Sequence, residues 1–320
     1  MPDHLSALAV PTDLAALAAE AAAYAAQTRA AATLRAYRAD WRDFAAWCQE
    51  RQLAALPATP ETVALYITDL ARMRAVSTIR RRLASIAQAH DAQGLESPTR
   101  APVVRQVLRG VRRARGVAPR QKDAADLAVI RAMVATLDQS LQGLRDRAIL
   151  LLGFAGAFRR SELARLTVAD LEFVSEGVII TLRRSKTDQE GAGALKGIPY
   201  GANPTTCPVR ALRAWLNASG ITAGPVFRSV WKGGHRLRPK ALPDRAIAEV
   251  VKRAAAAAGY DPARFSGHSL RAGLATAAAA AGVDERAIME QTGHTTTRMV
   301  RRYIRRGALF RNNAAARVGL

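Results

Sequence analysis

Residues 268–303 read HSLRAGLATAAAAAGVDERAIMEQTGHTTTRMVRRY, and the rest of the chain is interpreted outward from them. His268, Ser269, Leu270 and Arg271 stand at a helix start, where a spacing of three puts imidazole and guanidinium on one face. Further helices begin near Asp284 and Thr296. Gly293-His294 falls between them, and nine residues after His294 comes Tyr303, inside Arg301-Arg302-Tyr303-Ile304-Arg305-Arg306. From Gln291 onward there are seven Arg and no acid. Without its neighbours Tyr303 reads as a helix aromatic half-buried against the core; the cations around it raise a chemical role.

Two earlier segments supply further cations. In Gly156-Ala157-Phe158-Arg159-Arg160-Ser161-Glu162-Leu163 an arginine lies at a helix junction after an apolar run, with Glu162 three residues beyond Arg159. Arg160 competes for the same role by one residue. In Arg184-Ser185-Lys186-Thr187-Asp188 a lysine occupies a polar turn after the apolar strand Val178-Ile179-Ile180-Thr181-Leu182, with Ile198-Pro199-Tyr200 as the returning partner.

Metal chemistry is unsupported by the pattern. His4, His90, His235, His268 and His294 form no HxH, HExxH or Cys/His cluster. The acids are scattered through plausible caps and surface pairs, unlike the paired carboxylates that hold two Mg²⁺ ions. There is no P-loop or GxGxxG. No cofactor is expected, and work on a phosphate would fall to cationic side chains.

Composition bounds the partner. With 48 Lys+Arg against 26 Asp+Glu the formal net charge is +22, which points to a polyanion, nucleic acid first. Membrane surfaces and acidic proteins remain compatible, and a high-GC codon bias inflates Arg and Ala together. Aromatics at 5% weigh against base-stacking platforms for single strands and favour duplex DNA held through phosphates. Hydrophobic content of 49% argues against a disordered basic tail. No apolar run reaches the roughly 20 residues a bilayer crossing needs, and the Ala-rich start does not read as a secretory signal. Cys48 and Cys207 lack CxxC spacing and read as reduced, apolar residues of a cytoplasmic protein.

A chain of 320 residues exceeds one core, so two domains are the default. Residues 1–27 form an extension. Residues 28–118 read as a bundle of four or five helices: Leu34, Tyr37, Trp41, Phe44 and Trp47 make one apolar stripe, and Thr59-Pro60 opens a helix. Ser77 caps the next, with Arg80, Arg81 and Arg82 mostly outward. Pro102 opens the last, whose polar side carries Arg105, Arg109, Arg112 and Arg113. Such faces are often merely solvated, but two in one small domain favour a DNA-facing surface. Residues 114–124 lack an apolar period and read as a linker. Residues 119–320 are helix-rich with a small antiparallel sheet. The charge divides as +6 before residue 119 and +16 after it.

Together the ordered pieces Arg159, Lys186, His268-x-x-Arg271, Gly293-His294 and Tyr303 resemble the tyrosine recombinase (phage integrase) family. The resemblance spans nearly the whole chain. It implies a mainly α fold, in which an all-helical, SAM-like core-binding domain precedes an α-rich catalytic domain with a small antiparallel sheet. It implies that Arg159, Lys186, His268, Arg271, His294 and Tyr303 are catalytic and that Glu162 supports them, its spacing fixing the register on Arg159. Phe158, Arg160 and Thr292 depart from the family pattern.

The chemistry can also be rebuilt from the side chains. Two guanidinium forks can hold the non-bridging oxygens of a phosphodiester and offset charge in the transition state. A tyrosine with an ordinary pKa of about 10 needs a base and a positive field, which His268 and the arginines supply. Lys186 suits protonation of the leaving 5′-oxygen. The family implies a 3′-phosphotyrosyl intermediate, whose reversal needs no ATP, in a site-specific recombinase or integrase acting as a tetramer on two DNA sites. A type IB topoisomerase and a non-catalytic DNA-binding protein of the same fold are the alternatives. The segment after Tyr303 holds an apolar cluster, Ala308-Leu309-Phe310, expected to dock on a neighbouring protomer. His235, Trp231 and Tyr260 read as loop, core or interface residues.

Overall fold

The structure is a computed structural model and describes residues 12–26, 30–116, 122–183, 193–231, 233–234, 236–297, 300–301, 303 and 318. The chain divides into two compact units, Met1–Arg120 and Gln121–Leu320.

Among the described residues the first unit is helical: α1 (Thr12–Ala26), α2 (Ala31–Glu50), α3 (Pro60–Met73), α4 (Val76–Asp91) and α5 (Pro102–Arg115). Its core joins Phe44 and Cys48 of α2, Val63, Tyr66 and Ile67 of α3, Ile79, Leu83 and Ile86 of α4 and Val104 of α5. Thr59 opens α3 by accepting the Thr62 N–H at 3.2 Å, with Pro60 in the first turn. α4 begins at Val76, behind Ala75, so Ser77 lies inside its first turn and is not the cap; Val76 is itself buried and draws the helix start back.

The three adjacent arginines of α4 separate. Arg80 is exposed, and Arg81 is exposed but forked onto Asp40 at 2.7 and 2.9 Å. Arg82 is 8% exposed, donates to the Tyr66 hydroxyl at 2.7 Å and is forked onto the Asp43 carboxylate. The expectation of an outward Arg82 that contacts DNA is therefore corrected. Consecutive helix positions turn by about 100°, and Arg82, three residues after Ile79, shares the core face. Arg105, Arg109, Arg112 and Arg113 are exposed on α5, as expected.

The second unit opens with α6 (Leu127–Ala135), capped by Asp126, and α7 (Leu141–Ala155), capped by Ser140. The short α8 (Arg160–Arg165) leads to β1 (Leu171–Phe173), β2 (Gly177–Leu182) and β3 (Ala194–Pro199). These form an antiparallel sheet in that order, with Leu171 opposite Ile180 and Val178 opposite Ile198. α9 (Pro208–Ser219) packs on α7 and buries Trp215, whose Nε1–H donates to Val226 O at 2.9 Å. β4 (Arg228–Val230) and β5 (Leu237–Ala241) make a second hairpin. The sequence reads there as a basic loop, because the strands are largely polar, none of their residues is buried and they show no apolar alternation. Trp231, beside it, is half exposed with Arg238 over its ring at 4.1 Å.

α10 (Asp244–Ala257), α11 (Gly267–Ala280) and α12 (Glu285–Thr292) complete the labelled elements, and Thr297, Val300, Arg301 and Tyr303 are helical beyond them. Ala272, Ala275 and Ala279 of α11, Ile288 of α12, Val300 and Tyr303 form a small cluster of their own. Alanines let α11 approach closely, and this places Tyr303 beside the start of α11. Among the described residues both cysteines are free and buried, and no helix is long and apolar enough to cross a membrane.

Candidate active site

The site begins at the turn from α7 to α8. Gly156 ends α7, and a Cβ there would lie 2.1 Å from the Phe158 ring, so only glycine admits the ring beneath the turn. Ala157 takes a positive φ of 47°. Glu162, buried in the first turn of α8, accepts the Arg159 backbone N–H at 2.8 Å and its Nη1–H at 2.7 Å. One carboxylate therefore caps the helix and orients the guanidinium. Arg159 is thereby held at the turn, while Arg160 is half exposed and pairs with Asp244 at 3.1 Å.

α11 brings the next two groups. Ser266 and Ser269 cap its start reciprocally, which leaves the His268 ring free of capping duty. The His268 Nε2 lies 2.8 Å from the Tyr303 hydroxyl, which donates to it when the ring proton is on Nδ1. Arg271, one turn on, is 2% exposed. Its Nη1 donates to Ala157 O at 2.9 Å, and its Nη2 is buried without a hydrogen-bond partner. Burial, then the neighbouring Arg159 charge, pushes Arg271 down to about 10, so it stays cationic at neutral pH. An unmet buried donor costs roughly 1–3 kcal/mol, and an anion at Nη2 would recover it.

Gly293 ends α12 in the left-handed region, at φ +60°, and turns His294 inward. The Thr292 hydroxyl donates to Ile288 O at 2.6 Å and so accepts from His294 Nδ1–H at 2.7 Å, leaving Nε2 as the free ring nitrogen. Thr292, a departure from the family pattern, thus sets the His294 tautomer. Burial, followed by Arg271 and Arg159, lowers His294 to about 4. Its ring centroid is 5.9 Å from that of Tyr303.

The structure thus gathers Arg159, Glu162, His268, Arg271, His294 and Tyr303. Lys186 and His235 lie outside the described residues. Sequence reading missed Lys196, whose buried ammonium donates to Gly156 O at 2.7 Å and to Gln291 O. The signal was an inverted strand pattern in β3, with Leu195 outside and Lys196 inside. Among the described residues no group of three or more His, Cys, Asp or Glu could hold a metal ion.

Two guanidinium groups, one with an open donor, beside a tyrosine hydroxyl bonded to an imidazole have the chemistry to hold an anionic ester next to a hydroxyl nucleophile. Residues 126–308 match the phage integrase family. The chain is 41% identical over 296 residues to the integrase/recombinase xerD homolog of Selenomonas ruminantium, covering 91% of this chain and 86% of that protein. It is 30% identical over 286 residues to recombinase cre of Escherichia phage P1, covering 82% and 81%. A lambda integrase tetramer bound to a Holliday junction shares the fold with a TM-score of 0.60 at 15% identity, over 91% of this chain and 76% of that one. The chain belongs to the phage integrase family. Its enzyme class is that of the tyrosine site-specific recombinases.

Proposed function

We propose that the chain cleaves and rejoins duplex DNA at a specific site through a covalent 3′-phosphotyrosyl intermediate on Tyr303, with neither metal nor ATP. The observation that carries this reading is the Tyr303 hydroxyl, 2.8 Å from His268 Nε2, with the buried Arg271 one turn beyond His268 on α11. Arg159 and Arg271 take the non-bridging oxygens of the scissile phosphate, with the open Nη2 of Arg271 as one contact. His268 accepts the Tyr303 proton as the phenolic oxygen attacks phosphorus. The bond to the 5′-oxygen breaks, Lys186 protonates that oxygen, and His294 binds the phosphate. The reverse reaction, with another strand's 5′-hydroxyl as nucleophile, rejoins DNA with the bond energy kept in the phosphotyrosine.

Residues 28–118 serve as the core-binding domain and 119–320 as the catalytic one. Arg80, Arg81, Arg105, Arg109 and Arg112 hold flanking phosphates. Solved relatives are described as a lambda integrase dimer on a core site and a tetramer on a Holliday junction; by that likeness this chain works as a tetramer on two sites. Acting on DNA, it would work in the cytoplasm with the nucleoid. Docking of the tail in trans concerns residues 304–317, outside the described residues.

A nicked suicide substrate carrying the cognate site tests the reading on a denaturing gel. Wild type gives a covalent adduct that survives metal chelation; Tyr303→Phe gives none and still binds DNA. No adduct from wild type on a verified site would end the reading. Loss of the adduct with chelator would revive a nuclease. Relaxation of arbitrary supercoiled DNA without paired products would favour a topoisomerase.

A further inference from the structure

Lys196 stands where strand alternation gives no reason for a charge. On β3 it is 6% exposed, while Leu195 beside it is 73% exposed. A lone ammonium rarely stays buried unless its donors are met. Here two are met by backbone: Gly156 O, the end of α7, and Gln291 O, near the end of α12. The Phe158 ring lies below the ammonium, 5.3 Å from Nζ. Gln291 returns the link, donating from Nε2 to Ala155 O at 2.8 Å, and Arg271 takes the third consecutive carbonyl, Ala157 O. Side chains from three elements therefore close on one turn. That turn leads directly into Arg159, and Gln291 precedes His294 by three residues. Burial pulls the Lys196 ammonium down to about 8, with Glu162 opposing and Arg271 and Arg159 adding to the shift.

We propose that Lys196 is a positioning residue of the strand-cleavage reaction: its buried ammonium ties the end of α7 to the end of α12, and so sets Arg159 and His294 around the open donor of Arg271. This rests on the phosphotyrosine reading above. It separates the roles of two lysines. In the proposed function Lys186 delivers a proton; Lys196, in β3, holds the frame and keeps its own.

Single-turnover cleavage by the full chain tests it on two suicide substrates. One has an ordinary phosphodiester. In the other a sulfur replaces the bridging 5′-oxygen, so that the thiolate leaves without being protonated. Misplacing reacting groups by an ångström costs about 100-fold, and Lys196→Met should lose about that factor on both substrates with unchanged noncovalent DNA affinity. Lys196→Arg, which keeps charge and donors, should recover part of the rate. Lys186→Ala should be slow on the oxygen substrate and recover on sulfur. Should Lys196→Met fail to fold, Lys196→Gln keeps an amide donor and should show a smaller loss, again equal on both substrates. Recovery of either Lys196 variant on sulfur would make Lys196 a proton donor and overturn the proposal, as would wild-type rates on the oxygen substrate. If wild type itself gives no adduct, the phosphotyrosine reading is what fails.

Discussion

The helical unit and the catalytic unit both bury an arginine, and they do so to opposite ends. In the first, Arg82 is met by the Asp43 carboxylate and the Tyr66 hydroxyl; its buried Nε makes no hydrogen bond but lies 3.7 Å from the Asp40 carboxylate, so two acids offset its charge. In the second, Arg271 is buried more deeply, meets one backbone carbonyl and leaves Nη2 unmet. Arg82 is electrically finished within its own domain. Arg271 has Glu162 as a nearby counter-charge but no hydrogen-bond partner for Nη2 among the described residues. The exposed Arg105, Arg109, Arg112 and Arg113 of α5 are a third kind, open to solvent. The contrast teaches that two buried arginines can differ in counter-charge rather than in burial, and the proposed function gives the less compensated one to the phosphate.

Breaking the finished pair should be a matter of stability. Arg82→Met strands Asp43 and should cost about 3 kcal/mol, since removing one partner of a buried pair costs about 3–5 kcal/mol and Asp43 is partly exposed. Denaturant unfolding reads this loss. A cleavage rate that falls with stability unchanged would place Arg82 in the wrong class.

On the Arg271 side the deficit of negative charge is also legible in His294. Its folded pKa of about 4 lies below the ordinary 6.5, so the unfolded chain binds more protons between those values. Stability therefore falls as pH drops from about 6.5 toward 4, by up to about 3 kcal/mol from this group. His294→Asn should flatten that part of the pH–stability curve; an unchanged slope would contradict a depressed His294. The smallest effect belongs to the solvated class. Arg109→Ala should weaken DNA binding uniformly across sequences and reduce the salt slope by about one, with cleavage at saturating protein unchanged. An altered cleavage rate would move Arg109 into the chemistry.

Local rules made much of this legible in advance. Thr59-Pro60 announces α3, and the run from Val178 to Leu182 announces β2. Glu162 at plus three singles out Arg159 because one helical turn must bring them together. Other features depend on tertiary partners. Arg82 turned inward because Asp43 and Tyr66 were there to meet it, and neither is near it in sequence. Lys196 is inside because the ends of α7 and α12 present carbonyls to that face of β3. The β4–β5 hairpin forms from polar strands without an apolar alternation to announce it. Thr292 looked like a departure from pattern until its hydroxyl was seen to orient His294.

The open donor of Arg271 is tested most directly by one comparison. Single-turnover cleavage by wild type and Arg271→Ala would be measured on an ordinary scissile phosphate and on a methylphosphonate, which carries no charge at that position. If Arg271 exists to receive the phosphate anion, Arg271→Ala should lose roughly 100- to 1,000-fold on the phosphate and most of that loss should vanish on the neutral linkage. An equal loss on both would contradict it, and would make Arg271 a strut for the α7 turn.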